Sequence, residues 1–155
     1  MIDRFDWRKI RPAQKLHRFL YAIGLGPVIG KIVLLLTTTG RKSGLPRVTP
    51  LQYELINGNY CLGAARGKKA DWVRNIEANS KVKVRVKNLN FEGEARVCHD
   101  PVEIADFLET RLRHHPLMIG LIMQKAHNLP RRPSRQQLEE LAADEVMVVV
   151  MPDRE

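Results

Sequence analysis

The segment TTTGRKSGLPR, residues 37–47, concentrates side chains and glycines that can hold an anion. Its two glycines allow positive φ and let backbone amides approach a ligand without an intervening Cβ. Two adjacent cations and a serine lie between the glycines, and a third cation presents a planar fork suited to phosphate. The sequence therefore predicts a phosphate-binding turn. Its candidate ligands are Thr39, Gly40, Arg41, Lys42, Ser43, Gly44 and Arg47.

A second basic cluster, AARGKKADW at residues 64–72, lies where a predicted strand gives way to a helix. Its cations are Arg66, Lys68 and Lys69. The N-terminus of the following helix, for which Asp71 is the expected cap, also favours an anion through its unpaired N–H groups and its dipole. Two cationic loops on neighbouring strands can grip one phosphate from both sides, which is more specific than either loop alone.

Other interpretations of these residues stay open or are disfavoured by their spacing. A polar hairpin tip with solvated cations has the same composition, because basic, Gly-rich turns are common. The GRKSG segment is not a Walker A motif, since it lacks the four-residue spacer and the trailing GK[ST]. His114 and His115 are adjacent and would point about 100° apart on a regular helix, so they would not share an ion. We therefore predict no metal site.

The composition indicates a soluble protein with anionic partners. The 155 residues carry 26 Lys and Arg against 17 acidic residues, a formal net charge of +9 and a pI near 9.9. This excess attracts nucleic acid, anionic lipid or a phosphorylated small molecule without distinguishing them. The apolar run IVLLL at 32–36 is far shorter than the ~20 residues of a membrane span. Cys61 and Cys98 lie in apolar, strand-like surroundings typical of buried, reduced thiols, and no signal region is evident, so we expect a cytoplasmic protein.

Hydrophobic periodicity predicts a single α+β domain over residues 1–155. A basic amphipathic helix over 1–30 precedes three strands, a short helix, two strands, a helical segment over 101–143 and a final strand over 145–152. Because hairpins follow one another without βαβ alternation, we expect a mostly antiparallel sheet curled into a barrel with helices outside. The N-terminal helix is expected to pack on its own domain, and peripheral membrane contact through its basic face is the alternative.

The runs LLLTTTGRKSGLPRVTPLQY and W…NIEANSKVKV resemble the deazaflavin-dependent nitroreductases, a branch of the flavin/deazaflavin oxidoreductases with a split β-barrel. In that family a strand ending in TTTGRKSG leads to a PLxY strand, and an alanine-serine-glycine loop leads to W-x-x-N-L-x-A-N-P. The resemblance covers residues 30–100. It implies an FMN-binding-like split barrel, a homodimer, and binding of the deazaflavin coenzyme F420.

The resemblance also implies which residues hold the cofactor. By position, Arg41, Lys42 and Arg47 form the first set of phosphate ligands, and Lys68 or Lys69 forms the second. The family tryptophan that packs near the cofactor is matched as well. F420 carries a phosphodiester and a glutamate tail, which suits a strongly cationic groove. The cofactor-binding residues added to those of the turn are Pro50, Ala65, Arg66, Lys68, Lys69 and Trp72.

Three departures limit what is carried over from the family. Ala65 stands where a serine is usual near the ring, and Ser80 replaces the proline after the AN pair. The C-terminal third lacks the tyrosine-rich segment that closes over nitro-substrates. The resemblance therefore supports cofactor binding more directly than it supports nitro reduction.

From these observations we expect an F420-dependent oxidoreductase that transfers a hydride between the deazaflavin and a small, planar, apolar substrate. The cofactor carries the redox chemistry, so no catalytic side chain is assigned. One alternative is a split barrel that binds FMN or haem. Another is a non-enzymatic domain that binds nucleic acid or another anion. Against nucleic acid, the two Trp, three Tyr and four Phe do not interleave with the basic turns as stacking platforms do.

Overall fold

Six β-strands close into an antiparallel barrel in the computed structural model, which describes residues 33–64 and 67–153. Around the barrel the order is β1–β2–β3–β6–β5–β4, and β4 pairs with β1 to complete the closure. Closure removes the exposed sheet edges that an open sheet of this size would present. The strands are β1 (Val33–Thr39), β2 (Pro46–Ile56), β3 (Asn59–Gly63), β4 (Lys81–Val86), β5 (Leu89–Cys98) and β6 (Met147–Pro152).

The alternation of apolar residues along the strands builds the interior of the barrel. Every second residue of β1 and of β4 is buried, while Lys81, Lys83 and Arg85 on the other face of β4 are exposed. This period of two is what a strand with one buried face requires. The buried side chains of these two strands are Leu34, Leu36, Thr38, Val82, Val84 and Val86.

Helices cover the outside of the barrel and form a second apolar layer with it. A helix, α1 (Asp71–Ala78), connects β3 to β4, and three more lie between β5 and β6. Outward-facing Cys61, Cys98 and Met147 of the strands pack against the helices, so one wall of the barrel has apolar contacts on both faces. The three helices are α2 (Pro101–His114), α3 (Pro116–His127) and α4 (Arg135–Ala142).

Local sequence signals define where these helices begin. Asp100 caps α2 by accepting a hydrogen bond from the Val102 amide at 3.0 Å. Ser134 and Gln137 form a reciprocal capping box at the start of α4. Such caps satisfy amides that the first helical turn leaves without an internal partner.

Strand register places both predicted cationic loops at the same end of the barrel. Thr39 pairs with Pro46 across the β1–β2 turn. Gly63, at the end of β3, pairs with Met147 at the start of β6. Helix α1 runs from this end of β3 to the beginning of β4, so it spans the same rim. The turn after β1 and the segment before α1 therefore open on one side of the molecule.

The predicted α+β barrel is confirmed, with some differences in detail. The final strand begins at Met147 rather than at 145. Asp71 is the first residue of α1 rather than its cap, and Ala70 occupies the cap position without a side-chain bond. The helical segment predicted over 101–143 comprises α2, α3 and α4. The predicted N-terminal helix over 1–30 lies outside the described residues, so its possible membrane contact and the assignment of a single domain stay predictions.

The described residues also bear on the predictions about membrane spans and about the two cysteines. Among residues 33–64 and 67–153, no helix is long and apolar enough to cross a bilayer. Cys61 and Cys98 are both buried and unpaired, as predicted. Burial raises the pKa of the Cys61 thiol to about 11, which keeps it protonated at neutral pH.

Candidate functional site

The turn between β1 and β2 is closed by its own backbone. The Gly40 amide donates to the Leu45 carbonyl at 2.8 Å, and the Gly44 amide donates to the Gly40 carbonyl at 2.8 Å. Gly44 has a φ of 72°, in the left-handed region that favours glycine. A Cβ on Gly40 would lie 2.7 Å from Ser43 Oγ and 3.1 Å from the Leu45 carbonyl oxygen. The two glycines thus shape the turn, and their amides are used within it rather than aimed at a ligand.

Ser43 supports the same geometry. Its Oγ accepts a hydrogen bond from the Leu45 amide at 3.2 Å and a long one from Arg47 Nη2 at 3.5 Å. The Arg47 guanidinium is thereby held beside the turn although it belongs to strand β2. Within the described part of the chain, the backbone amides of Lys42 and Ser43 make no backbone hydrogen bond, and both residues are exposed. Those two amides and the nearby cations are the groups of the turn available to an anion.

Arg41 connects this turn to helix α1. Its Nη1 donates to Asn75 Oδ1 at 2.9 Å, and its Nη2 lies 3.2 Å from Asp71 Oδ1. The Arg41 backbone amide also donates to Asn75 Oδ1, at 3.2 Å. Asn75 is buried and donates in turn to Thr38 Oγ1 at 3.4 Å. The side chain predicted as a phosphate ligand is therefore engaged in holding the turn against the helix.

This bridge brings the two cationic segments together. Asp71, which contacts Arg41, follows Lys69 by two residues, and the segment Gly67–Lys69 is a short 3₁₀ turn leading into α1. Among the described residues, Lys42, Lys68 and Lys69 form no ion pair with an acidic side chain. Several cations without a protein counter-charge at one rim create the positive potential that an anionic ligand would neutralise.

The other predicted site residues fall into two groups. Thr39 ends β1 directly before the turn, and Trp72 lies on α1, packed at the edge of the barrel core. Pro50 lies three residues beyond Arg47 on β2 and lines an apolar cavity. Ala65 and Arg66 lie outside the described residues, so the structure places neither of them.

The cavity that Pro50 lines has a volume of about 430 Å³. It lies between the β2–β3 wall of the barrel and helices α2 and α3. Its volume is within the range of small-molecule sites, and its walls are mostly apolar. The apolar side chains that line it include Pro50, Leu51, Ile104, Phe107, Leu108, Ile119, Ile122 and Met123, and the polar ones include Gln52, Arg111 and Glu145.

A polar cluster of buried groups reaches this cavity from one side. Arg111 is 8 % exposed, and its Nη2 donates a short hydrogen bond to Gln52 Oε1. Burial lowers the pKa of Arg111, although the nearby Glu54 carboxylate acts in the opposite direction. Glu54 is itself buried, with His114 Nδ1 2.8 Å from its Oε2 and His115 Nε2 3.6 Å from its Oε1. The polar groups behind the cavity are thus organised around one buried carboxylate.

The two histidines correct one geometric expectation. His114 ends α2, and His115 has φ −135° and ψ 63°, so the pair does not sit on a regular helix. Both rings consequently contact the same carboxylate instead of diverging.

The basic rim and the cavity are also close to each other. A groove of about 600 Å³ along Gly67–Lys69 shares Glu145 and Val146 with the cavity walls.

Two groups of the site were not identified from sequence. Asn75 lies in the segment NIEAN, but nothing in the local sequence indicates that its Oδ1 accepts hydrogen bonds from Arg41, 34 residues earlier. Arg111 gives a readable signal, because it follows Ile104 and Phe107 at helical spacing on the apolar stripe of α2. A cation on a buried stripe is rare unless it has a partner or a function.

Comparison with known proteins gives a family match and several similar folds. A family model described as F420H(2)-dependent quinone reductase matches residues 11–116. An F420-H2 dependent reductase is 24 % identical with a TM-score of 0.52, over 77 % of this chain and 94 % of that chain. A protein solved as a domain-swapped dimer is 22 % identical with a TM-score of 0.54, over 94 % of this chain and 97 % of that chain.

A haem protein has the same fold. The haem storage protein HutZ from Vibrio cholerae is 15 % identical with a TM-score of 0.56, over 82 % of this chain and 87 % of that chain. At these identities the solved structures show a common split-barrel fold, and the predicted architecture is confirmed by them. The fold alone accepts different ligands, so the family match rather than the barrel distinguishes the deazaflavin from the FMN and haem alternatives.

Proposed function

This chain belongs to the F420H(2)-dependent quinone reductase family, and from that premise we propose that it reduces a small, planar, apolar acceptor of the quinone type. It is an oxidoreductase, and its cofactor is coenzyme F420. The predicted membership of the deazaflavin oxidoreductases is thereby confirmed. When bound, the reduced cofactor supplies a hydride from C5 of its ring.

The observation that carries the proposal is the bridge from Arg41 to Asp71 and Asn75. It holds the β1–β2 turn against the helix that follows Lys68 and Lys69. Four cationic side chains at this rim match the phosphodiester and carboxylate groups of F420 in charge. Charge-assisted hydrogen bonds to phosphate are about twice as strong as neutral ones. The residues that would hold the phosphate and tail are Lys42, Arg47, Lys68 and Lys69.

The chain's own residues then define where an acceptor would lie. The apolar cavity shares Glu145 and Val146 with the groove along Gly67–Lys69, so a ligand anchored at the rim would extend toward it. Phe107 and Met123 are 3 % and 2 % exposed and form part of a firmly packed wall. Such a wall excludes water and favours a flat, apolar molecule. These features support a quinone-like acceptor over a sugar or a charged metabolite.

A titration with two cofactors tests the proposal. F420 and FMN are each added to the wild-type protein, to Lys42→Ala and to Lys87→Ala, and ligand fluorescence gives the dissociation constants. Lys87 lies beyond β4, at the barrel end opposite the turn, and serves as the matched control. We expect F420 to bind more tightly than FMN, with weaker binding only in Lys42→Ala. FMN binding in preference to F420 would contradict the proposal.

Turnover is tested separately. Reduced F420 is mixed with the protein and either menadione, a quinone, or a nitroaromatic compound. The increase in the absorbance of oxidised F420 gives the rate with each acceptor. We expect faster oxidation with the quinone. If menadione oxidised F420 no faster with the protein than without it, the choice of acceptor would be contradicted, and the conclusion about cofactor binding would be unaffected.

The same family resemblance and the domain-swapped dimer among the similar folds support a homodimer. Light scattering after gel filtration measures the molar mass directly. We expect twice the chain mass of 17.8 kDa. A monomer at micromolar concentration would contradict this part of the proposal alone.

A further inference from the structure

Arg111 is the cationic side chain that α2 contributes to a cavity with mostly apolar walls, whose other polar side chains are Gln52, His127 and Glu145. Its side chain lines the cavity and is 8 % exposed. Taking a guanidinium out of water costs several kcal/mol in general, so a buried arginine usually has partners that saturate it. The partners of Arg111 therefore need to be counted.

The protein satisfies only part of this guanidinium. Arginine has five N–H donors. Within the described residues, one of them donates to Gln52 Oε1, and the Phe107 ring lies 5.7 Å from the guanidinium carbon. Glu54 is close enough to affect the pKa of Arg111 but makes no ion pair with it within 4.0 Å. Among the described residues the other N–H donors make no hydrogen bond, and the side chain that carries them lines the cavity.

The surrounding residues fix the guanidinium without neutralising it. Gln52 lies on β2, two residues beyond Pro50, so the rigid barrel wall sets the position of the hydrogen bond. The Glu54 carboxylate has His114 Nδ1 at 2.8 Å and His115 Nε2 at 3.6 Å as its neighbours, and it makes no ion pair with Arg111. A preorganised donor in a water-poor cavity stabilises a developing negative charge more strongly than the same donor in water.

We propose that Arg111 donates hydrogen bonds to a carbonyl oxygen of the acceptor and thereby selects acceptors whose oxygen becomes anionic on reduction. This inference rests on the proposed function. The acceptor gains the hydride and is reduced by two electrons while the cofactor is oxidised by two. A new bond to hydrogen forms on the acceptor as the C–H bond at C5 of the reduced cofactor breaks, and the π electrons of the acceptor's conjugated carbonyl move onto the oxygen that would face Arg111. That oxygen then takes a proton from water.

The ligand class that follows is a planar cyclic ene-one or quinone with a carbonyl oxygen at its edge. A fully apolar planar molecule would bury the free donors of Arg111 without a partner, which is unfavourable. A cyclic ene-one or a quinone supplies the acceptor atom. Gln52 acts as a positioning residue in this scheme, because it orients Arg111 and need not touch the acceptor.

Equilibrium binding to the cofactor-free protein tests the inference without turnover. The probes are p-nitrophenolate, measured at a pH where it is ionised, and its neutral methyl ether p-nitroanisole, with absorbance changes reporting binding. The proteins are wild type, Arg111→Gln, Arg111→Lys and Arg113→Gln. Arg113 lies on the same helix but is exposed, so it controls for a change in net charge.

We expect wild type and Arg113→Gln to prefer the phenolate by about tenfold, as a charge-assisted hydrogen bond provides. Arg111→Gln should lose the preference, and Arg111→Lys should retain part of it because the charge remains. Equal binding of the two probes to the wild-type protein would overturn the inference even if Arg111→Gln failed to fold. A preference that survives Arg111→Gln would overturn it as well.

The F420 titration on the same variants separates this inference from the proposed function. Arg111→Gln should bind F420 as wild type does, since the proposed phosphate and tail ligands Lys42, Arg47, Lys68 and Lys69 are all retained. Unchanged F420 binding with a lost phenolate preference supports both statements. Absence of F420 binding to the wild-type protein would contradict the proposed function, whereas the probe comparison would still decide the role of Arg111.

Discussion

The rim turn at 40–47 and the cavity wall formed by α2 and α3 place positive charge in opposite environments. At the rim, several exposed cations surround a turn that its own backbone bonds and two glycines hold in shape. In the cavity, the buried guanidinium of Arg111 lies among apolar side chains from both strands and helices. The rim resembles a general anion site, whereas the cavity distinguishes one ligand from another.

The difference indicates that the rim and the cavity have different roles in binding. Exposed cations attract and anchor an anion, but each is screened by water and salt. A buried donor is costly to desolvate and is therefore selective for the atom that replaces its water. The rim would decide which cofactor binds and where, and the cavity would decide which acceptor is reduced.

The largest expected effect comes from removing two cations of the rim. Lys42→Ala combined with Arg47→Ala should weaken F420 binding by roughly 100-fold or more, because each charge-assisted hydrogen bond contributes about 1.5–3 kcal/mol. The KM for the acceptor should change little at saturating cofactor. Fluorescence titration measures the first quantity and steady-state kinetics the second, with Lys87→Ala as the control. A decrease in F420 affinity of less than about threefold would contradict the anchoring role of the two cations.

The converse change is made in the cavity wall. Met123→Ala removes a side chain that is 2 % exposed and should lower the free energy of unfolding by about 2–5 kcal/mol. Acceptor KM should rise, while the affinity for F420 stays near that of wild type. Urea denaturation and kinetics measure these effects, and exposed Leu117→Ala on the same helix is the matched control. Weaker F420 binding with unchanged KM would reverse the assignment of the two regions.

Asn75 tests how far the rim depends on helix α1. Asn75→Ala removes the acceptor shared by the Arg41 amide and guanidinium, and we expect a loss of about 1–3 kcal/mol in the free energy of unfolding. F420 affinity should fall with it, because the turn is no longer held near Lys69. Denaturation and titration measure both, with exposed Glu77→Ala as the control. Full F420 affinity in a folded Asn75→Ala protein would show that the bridge does not position the rim.

The smallest expected effect concerns Glu145, which lies where the rim groove and the cavity meet. Burial raises the pKa of this carboxyl, and the opposing effect of His127 is smaller. The folded state therefore binds the proton more tightly than the unfolded state, so the contribution of this group to stability falls as the pH rises through the carboxyl range. Glu145→Gln should be more stable than wild type at pH 7, by less than about 1 kcal/mol after solvent screening.

The pH dependence provides the check on Glu145. Urea denaturation of wild type and Glu145→Gln is compared at neutral pH and at a pH below the ordinary pKa of a glutamic acid side chain. The difference in free energy of unfolding should disappear at the acid end. A wild-type protein that is more stable than Glu145→Gln at neutral pH would mean that the charged carboxylate stabilises the fold.

Much of the barrel was predictable because its signals are local. The alternating Val82, Val84 and Val86 define a strand with one buried face, and the glycines of the GRKSG segment define the turn. The bridge from Arg41 and the hydrogen bond from Arg111 were not predictable. Each joins residues far apart in sequence, 34 positions for Arg41 and Asn75 and 59 for Arg111 and Gln52. Such contacts depend on strand order and helix packing, which composition and periodicity do not determine.

The central claim is that the two cationic segments bind one phosphate. It is tested most directly by titrating wild type, Lys42→Ala and Lys69→Ala with F420 and with the phosphate-free deazaflavin chromophore. We predict that both substitutions weaken F420 binding and leave binding of the phosphate-free chromophore unchanged. If either substitution weakened both ligands equally, or affected neither, the two segments would not share a phosphate.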